Sequence, residues 1–275
     1  MAENAYKAEV VVIGGGLAGM VTALELLDAG KSVVLLDAAT RERFGGLALW
    51  SFGGMFFVDS PEQRKNGIKD SVELAMDDWV RYGELDPNDV WPYRWAEAYV
   101  NRCTEEVRNW LAERDVEFFR AVNWTERGYY VPGNSVPRFH IVWGTGEGIV
   151  LPLIPRLAAH EKAGRLKLHF GHRVTDLTTE GGTVVGCHGT AGERTFDARA
   201  EAVVIAAGGI AGNHDKVRAL WPRDQWGEPP EVMLNGSIPE ADGLLLDRAE
   251  SLGANLTHLE KMWNYAAGVR HWAPL

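Results

Sequence analysis

VVVIGGGLAGMVTALELLDAGKSVVLLD, residues 10–37, decides the fold. A valine-rich run enters three glycines, a stretch with helical periodicity follows as far as Gly30, and a second apolar run ends on an acid. This pattern predicts a strand over 8–13, a helix over about 17–29 closed by Gly30, and a strand over 32–37. Neither apolar run alternates with polar residues, so both strands are expected to be covered on two faces, as in a parallel sheet.

Gly14, Gly16 and Gly19 have the spacing G-x-G-x-x-G, and Asp37 stands 18 residues after Gly19. Each position has a physical task. Gly14 permits the tight turn, Gly16 lets backbone approach a pyrophosphate, and Gly19 lets the helix pack on the strand. The helix N-terminus offers free N–H groups to phosphate, and the Asp37 carboxylate accepts from a ribose diol. The spacing alone would also suit a plain βα turn. With strand, helix and acid in register a dinucleotide is expected, and the acid at 37, without a basic residue in its place, disfavours a 2′-phosphate. FAD and NAD both fit at this point. A second glycine set separates them: in GGLALWSFGG, Gly45 with Gly46 and Gly53 with Gly54 stand eight residues apart around small and aromatic side chains. Paired glycines form loops without any ligand, but here they follow the ribose-binding strand, where backbone would lie along a flavin.

The 275 residues are 46% hydrophobic and 24% charged, enough to bury a core of one large or two modest domains. A net charge of −10 and the lack of any basic run argue against nucleic acid or an acidic membrane surface as partner. No stretch approaches 18 uncharged apolar residues, so no integral membrane segment is expected. The opening MAENAYKAEVVVIG has no basic n-region and no apolar signal core, so no leader is expected. Cys103 and Cys187 lack metal-ligand spacing; they read as buried small hydrophobes in a reduced, cytoplasmic setting, and no metal site is expected.

Further along, Ser60 reads as an N-cap with Pro61 at the first helical position, and a helical pattern runs over about 69–82. The stretch 95–115 places Ala96, Tyr99, Val100, Cys103, Val107, Trp110 and Leu111 on one helical face. Trp79, Trp95 and Trp110 read as core, as do most of the 11 tryptophans. Residues 116–147 read as irregular. A helix over 149–163 ended by Gly164 precedes strands LKLHF, RVTDLTT, TVVGCHGT and RTFDA, with a hairpin turn at Glu180, Gly181 and Gly182. EAVVIAAGGIAGN is again a buried strand entering glycines, and helices over 214–220 and 242–252 follow.

Taken together, residues 10–37, GGLALWSFGGMFFVDSPEQRKNGIKDS, NSVPRFHIVWGTGEG, VVIAAGGIAGN and the pair Asp242–Gly243 resemble the flavoproteins related to fumarate reductase, succinate dehydrogenase and 3-ketosteroid Δ1-dehydrogenase. The resemblance runs from about residue 8 to the end and is nearest to the bacterial FAD-binding dehydrogenases. It implies an α/β fold, a Rossmann-like FAD-binding domain with a parallel sheet, helices and a β-meander, and no substrate-capping domain. The whole chain, 1–275, would be one incomplete FAD-binding domain: a βαβ unit at 8–37, a helical insertion at about 60–115 and a second sheet-forming part at about 149–275.

By position, the resemblance assigns Gly14, Gly16, Leu17, Ala18 and Gly19 to the pyrophosphate and Asp37 to the ribose. It assigns Gly45, Gly46, Ala48, Ser51, Gly53 and Gly54 to pyrophosphate and flavin, and the Val174 backbone to adenine. Ala206, Ala207, Gly208 and Gly209 match a stretch that commonly reads A-T-G-G, so a backbone contact survives at Ala207 but a hydroxyl contact does not. Asp242 would sit close to the flavin. Where the succinate dehydrogenase branch bonds its flavin to a histidine, this chain has Leu47, Ala48 and Leu49, so FAD is expected to be noncovalent.

The implied activity is that of an FAD-dependent oxidoreductase acting on CH–CH groups. Hydride would pass between FAD and a C–C bond next to a carbonyl, on a small apolar ketone or steroid, with fumarate-reductase-like chemistry as the sister reading. Tyr265, Arg270 and His271 are candidates to face substrate. Arg138 and His140 read first as loop structure supporting the flavin. Relatives usually run to about twice this length. The competing class is therefore a truncated flavin-binding module that lacks catalysis or needs a partner chain, with a homo-oligomer or complementing chain as its form. A nicotinamide-binding protein is the third reading.

Overall fold

A computed structural model describes residues 4–263. The strands in chain order are β1 (Asn4–Lys7), β2 (Val10–Ile13), β3 (Val33–Leu36), β4 (Gly54–Phe56), β5 (Phe139–Ile141), β6 (Leu166–His169), β7 (His172–Glu180), β8 (Thr183–Ala191), β9 (Arg194–Arg199) and β10 (Ala202–Ile205). The central sheet has the order β10-β2-β3-β6, all parallel, with Val11 opposite Val34 and Val203. A second sheet, β1-β9-β8-β7, is an antiparallel meander to which β1 adds in parallel.

The two-faced burial expected of VVVI and VVLL is what the structure shows. Val10, Val12, Val33 and Leu35 pack against Met20, Ala23, Leu24 and Leu27 of helix α1 (Leu17–Asp28) and against Leu153 and Leu157. Val11, Ile13, Val34 and Leu36 pack on the other side against Val174, Cys187, Phe196 and Ala198 of the meander and Leu245. Each fully buried Val or Leu stabilises by about 1.5–3 kcal/mol, so covering both faces gives these short strands most of their anchorage. Both cysteines are fully buried and unpaired, and burial pushes the Cys187 thiol up to about 12.

Local signals in the sequence reappear as local structure. Ser60 caps Pro61–Lys65 in a reciprocal arrangement with Gln63. The hairpin between β7 and β8 turns on Gly181 and Gly182, whose φ angles of +58° and +82° suit the doubly left-handed turn that matches strand twist. The helix expected over 149–163 is instead two short helices, Thr145–Val150 and Ile154–Lys162, around a tighter turn at Leu151–Leu153. Pro152 and Pro155, which lack backbone donors, lie at that break.

Three expectations need correcting. The glycine-rich stretch read as loop contains a tight turn, Gly46–Trp50, and strand β4, and β4 pairs with β5 out of the region read as irregular. Strands of three residues are too short for any alternation to show. The helical stretch after residue 95 begins earlier, at Val90, and widens to a π turn at Cys103–Arg108, where Thr104 donates to the Val58 carbonyl at 2.6 Å. On it Ala96, Val100, Cys103 and Leu111 are buried as expected, but Trp95 is 73% exposed. Residue 95 lies about 100° around the helix from Ala96, and the wall is narrow enough to leave it outside. Nor are most tryptophans core: among the described residues Trp50, Trp91, Trp124, Trp143, Trp226 and Trp263 are also exposed, while Trp79 and Trp110 pack against the hydrophobic clusters.

Gly19 sets how closely α1 approaches the sheet, because a Cβ there would collide with the Gly14 carbonyl oxygen. Alanine gains up to about 1 kcal/mol over glycine in a helix. Overpacking a tight contact costs about 1–3 kcal/mol. Gly19→Ala is therefore expected to lower the urea unfolding midpoint; an unchanged or raised midpoint would show that helix and strand can part freely.

Candidate functional site

The parallel strands end together, and a cleft of about 420 Å³ opens beyond their C-terminal ends, where open α/β sheets hold ligands. Gly14, directly after β2, has φ +105° and donates to the Leu36 carbonyl at 2.8 Å; a Cβ there would run into the carbonyl of Ala206. Gly16 is the N-cap of α1, with no side chain capping the first turn. A Cβ on Gly16 would meet nothing within 4 Å, so the helix N-terminus faces open cleft. This is the arrangement that receives a phosphate: uncapped amides, positive dipole and no side chain in the way.

Asp37 directly follows β3 and is buried. Its Oδ2 accepts from the Gly15 amide at 2.5 Å and its Oδ1 from the Ala39 amide at 2.6 Å. Each oxygen keeps a further lone pair for a ribose hydroxyl. The second glycine pair lies on the first: the Gly45 amide donates to the Gly15 carbonyl at 2.9 Å, and Gly16 and Gly45 form a parallel bridge.

Of the residues singled out in the sequence, the cleft is lined by Gly14, Gly16, Leu17, Ala18, Asp37, Gly45, Gly46, Ala48, Val174, Ala206, Ala207, Gly208, Gly209 and Asp242. Leu47 lines it too and is 42% exposed. Gly19, Ser51, Gly53 and Gly54 do not line it. The Ser51 hydroxyl donates to the Ala48 carbonyl at 2.9 Å and accepts from the Gly53 amide at 3.2 Å, which holds the turn that follows Ala48. Gly54 lies beneath the Phe139 ring, where a Cβ would collide. Tyr265, Arg270 and His271 fall outside the described residues.

Arg138 and His140 are buried away from the cleft and organise the insertion. Arg138 donates to both oxygens of Asp70 at 2.8 Å, to Asp78 at 2.6 Å and to Asn134 at 2.9 Å. His140 donates from Nδ1 to the Arg138 carbonyl and accepts at Nε2 from the Ser60 hydroxyl, both at 2.7 Å. Burial, above all other influences, holds the His140 pKa below its ordinary value, so the ring is kept neutral.

Two ion pairs on the cleft were not legible in the sequence. Arg43 donates to both oxygens of Glu240 at 2.9 and 2.7 Å, and Arg173 pairs with Asp242. Their partners lie 197 and 69 residues away, so no local pattern signals them. Among the described residues no cluster of His, Cys, Asp and Glu is arranged to hold a metal, and no helix is long and apolar enough to cross a membrane.

A sequence model described as FAD binding domain matches residues 9–275. The chain belongs to the FAD-binding domain family. A KsdD-like steroid dehydrogenase of Mycobacterium tuberculosis is 42% identical over 98% of this chain and 50% of its own. A urocanate reductase of Eggerthella lenta is 32% identical over 94% of this chain and 40% of its own. The crystal structure of 3-ketosteroid-Δ4-(5α)-dehydrogenase from Rhodococcus jostii RHA1 in complex with 4-androstene-3,17-dione superposes with a TM-score of 0.76 at 26% identity, covering 93% of this chain and 56% of that one. The chain thus spans about half the length of the curated relatives it matches. FAD is the cofactor of this family, and the two relatives above are a dehydrogenase and a reductase.

The His140 pair gives the insertion a pH dependence with a definite sign. The folded pKa is depressed, so the unfolded chain takes up the proton first as pH falls. Stability is complete above the ordinary histidine value of about 6.5 and declines below it, by at most about 1.4 kcal/mol per pH unit. Urea midpoints measured from pH 7.5 to 5.5 are expected to fall, and His140→Gln to flatten that fall; an unaltered slope in the variant would assign the dependence elsewhere.

Proposed function

We propose that this cleft binds FAD noncovalently, and that the protein to which the chain belongs is a dehydrogenase taking hydride from a C–C bond next to a carbonyl, on an apolar ketone of the steroid type. The observation that carries the first half is the pairing of an uncapped, side-chain-free helix N-terminus at Gly16 with a buried carboxylate at Asp37. The second half is supported by the 42% identity to a KsdD-like steroid dehydrogenase. Leu47, where a histidine would tether the flavin, supports noncovalent binding.

In this reading the amides of Leu17 and Ala18 hold the pyrophosphate, the second carboxylate lone pairs of Asp37 hold the ribose, and the Val174 backbone meets adenine. Gly45, Gly46, Ala48, Gly208, Gly209 and Asp242 line the flavin end. FAD, when bound, supplies the hydride acceptor, and the chain's task is to orient it and exclude water. Gly19, Ser51, Gly53 and Gly54 act from behind the wall, by holding the turns that carry the lining residues. Leu47, Trp50 and Phe52, all exposed on or beside the turn that lines the cleft, suit an apolar substrate.

A second reading is favoured by the state of the titratable groups. Asp37, Arg43, Arg173, Glu240 and Asp242 are all engaged in hydrogen bonds or ion pairs, which leaves none of them free to move a proton at substrate. The 275 residues would then bind FAD while proton transfer comes from residues outside 4–263, from a complementing chain, or from a second copy.

The purified chain is expected to carry flavin visible in its spectrum and to release it into the supernatant on acid precipitation; flavin retained in the pellet would overturn noncovalent binding. Bleaching by a 3-ketosteroid supports the dehydrogenase, and flavin without turnover supports the binding module. Asp37→Ala removes a charged acceptor that serves both the loop and the ribose, so FAD binding is expected to weaken by roughly 10- to 100-fold. Unchanged affinity in that variant would place the dinucleotide elsewhere.

A further inference from the structure

Among the described residues that line the cleft, His172 carries the one aromatic ring. Its backbone amide donates to the Asp37 carbonyl at 2.8 Å, so the ring stands beside the ribose-binding acid and two residues before Val174. Both ring nitrogens are committed. Nδ1 lies 2.9 Å from the Phe170 carbonyl, which can only accept, so Nδ1 bears the hydrogen. Nε2 is hydrogen-bonded to the Tyr6 hydroxyl at 2.9 Å. The ring of this cleft-lining residue is therefore held at both nitrogens.

Tyr6 reaches this point from the far side of the molecule. It sits on β1, the outermost strand of the meander, fixed in register opposite Ala198 of β9. Its ring stacks on His169 at 4.0 Å and 29°, and the His169 carbonyl accepts from the Asp37 amide at 2.8 Å. Tyr6 therefore braces two histidines whose backbones hold Asp37 from either side. Burial raises the pKa of its hydroxyl, which keeps it a donor.

We propose that Tyr6 is a positioning residue for the adenosine end of the cleft, acting through His172, whose ring it fixes in one orientation for contact with adenine. This rests on the reading of the cleft as an FAD site. Without the hydroxyl, the imidazole loses the contact that holds its outer edge and can turn about its last torsion, and that freedom must be given up when the nucleotide binds.

The test uses flavin-free 275-residue chain, with ADP and FMN as probes of the two ends of the cleft. Tyr6→Phe keeps the stack on His169 and removes only the hydroxyl. ADP binding is expected to weaken roughly 3- to 10-fold, as for one lost hydrogen bond, with FMN binding unchanged. In a His172→Ala background, Tyr6→Phe should have no further effect on ADP. Unchanged ADP affinity, an equal loss for FMN, or a penalty that persists without His172 would each overturn the inference. Wild-type chain that takes up neither ADP nor FAD would remove the FAD reading together with this inference, whereas normal binding by wild type and Tyr6→Phe alike removes only the role of Tyr6.

Discussion

The Asp37 carboxylate joins two pieces of backbone that belong to different elements. One oxygen takes the amide of Gly15, between β2 and α1; the other takes the amide of Ala39, just beyond β3. A buried carboxylate without partners would carry a desolvation penalty of several kcal/mol, and short bonds from amides at a helix N-terminus offset it. The same bonds prevent the glycine loop from collapsing into the space at Gly16. Gly45, bonded to Gly15, inherits its position from the same link, and with it the whole turn through Ala48. The chemistry of the acid and the shape of the cleft are therefore one arrangement: a side chain that shapes the loop also keeps lone pairs for a ligand.

That arrangement needs a rigid base, and the base is a sheet enclosed by unlike layers. Helix α1 and the helix Ile154–Lys162 cover one face of the parallel strands, and the meander covers the other. Because the meander packs at the C-terminal ends of β3 and β6, its first strand delivers His172, Arg173 and Val174 to the rim of the cleft. The acid-glycine turn at Asp242 and Gly243 closes the opposite rim and is tied down by Arg43 and Arg173. Placement of each rim thus follows from which layer covers which face.

Features with a local cause were the ones legible in the sequence. The glycine spacing, the non-alternating strands, the Ser60 cap and the Gly181–Gly182 turn each depend on a few neighbouring residues, and each reappears at the expected place. The β4–β5 pair, the two rim ion pairs and the Tyr6–His172 contact join positions up to 197 residues apart and leave no periodicity to read. Trp95 departs from expectation for another reason: hydrophobicity does not dictate burial, and an aromatic beside the buried stripe of Ala96 and Val100 can point to solvent.

The paired state of the rim charges bears on how the chain divides its work. Among the described residues Arg43 and Arg173 are the cations that line the cleft, and each is already paired with an acid, Glu240 or Asp242. A dianionic pyrophosphate would therefore be met mainly by amides and a helix dipole, groups whose positions depend on the backbone and hardly on side-chain rotamers. Such a site is formed before ligand arrives and loses little freedom on binding, which favours tight retention over exchange. The side chains that would have to change protonation during catalysis are not among those engaged here. On the proposed reading, cofactor retention and proton transfer are separable: the residues lining the cleft suit the first, and the second would demand groups that approach its exposed side near Leu47, Trp50 and Phe52.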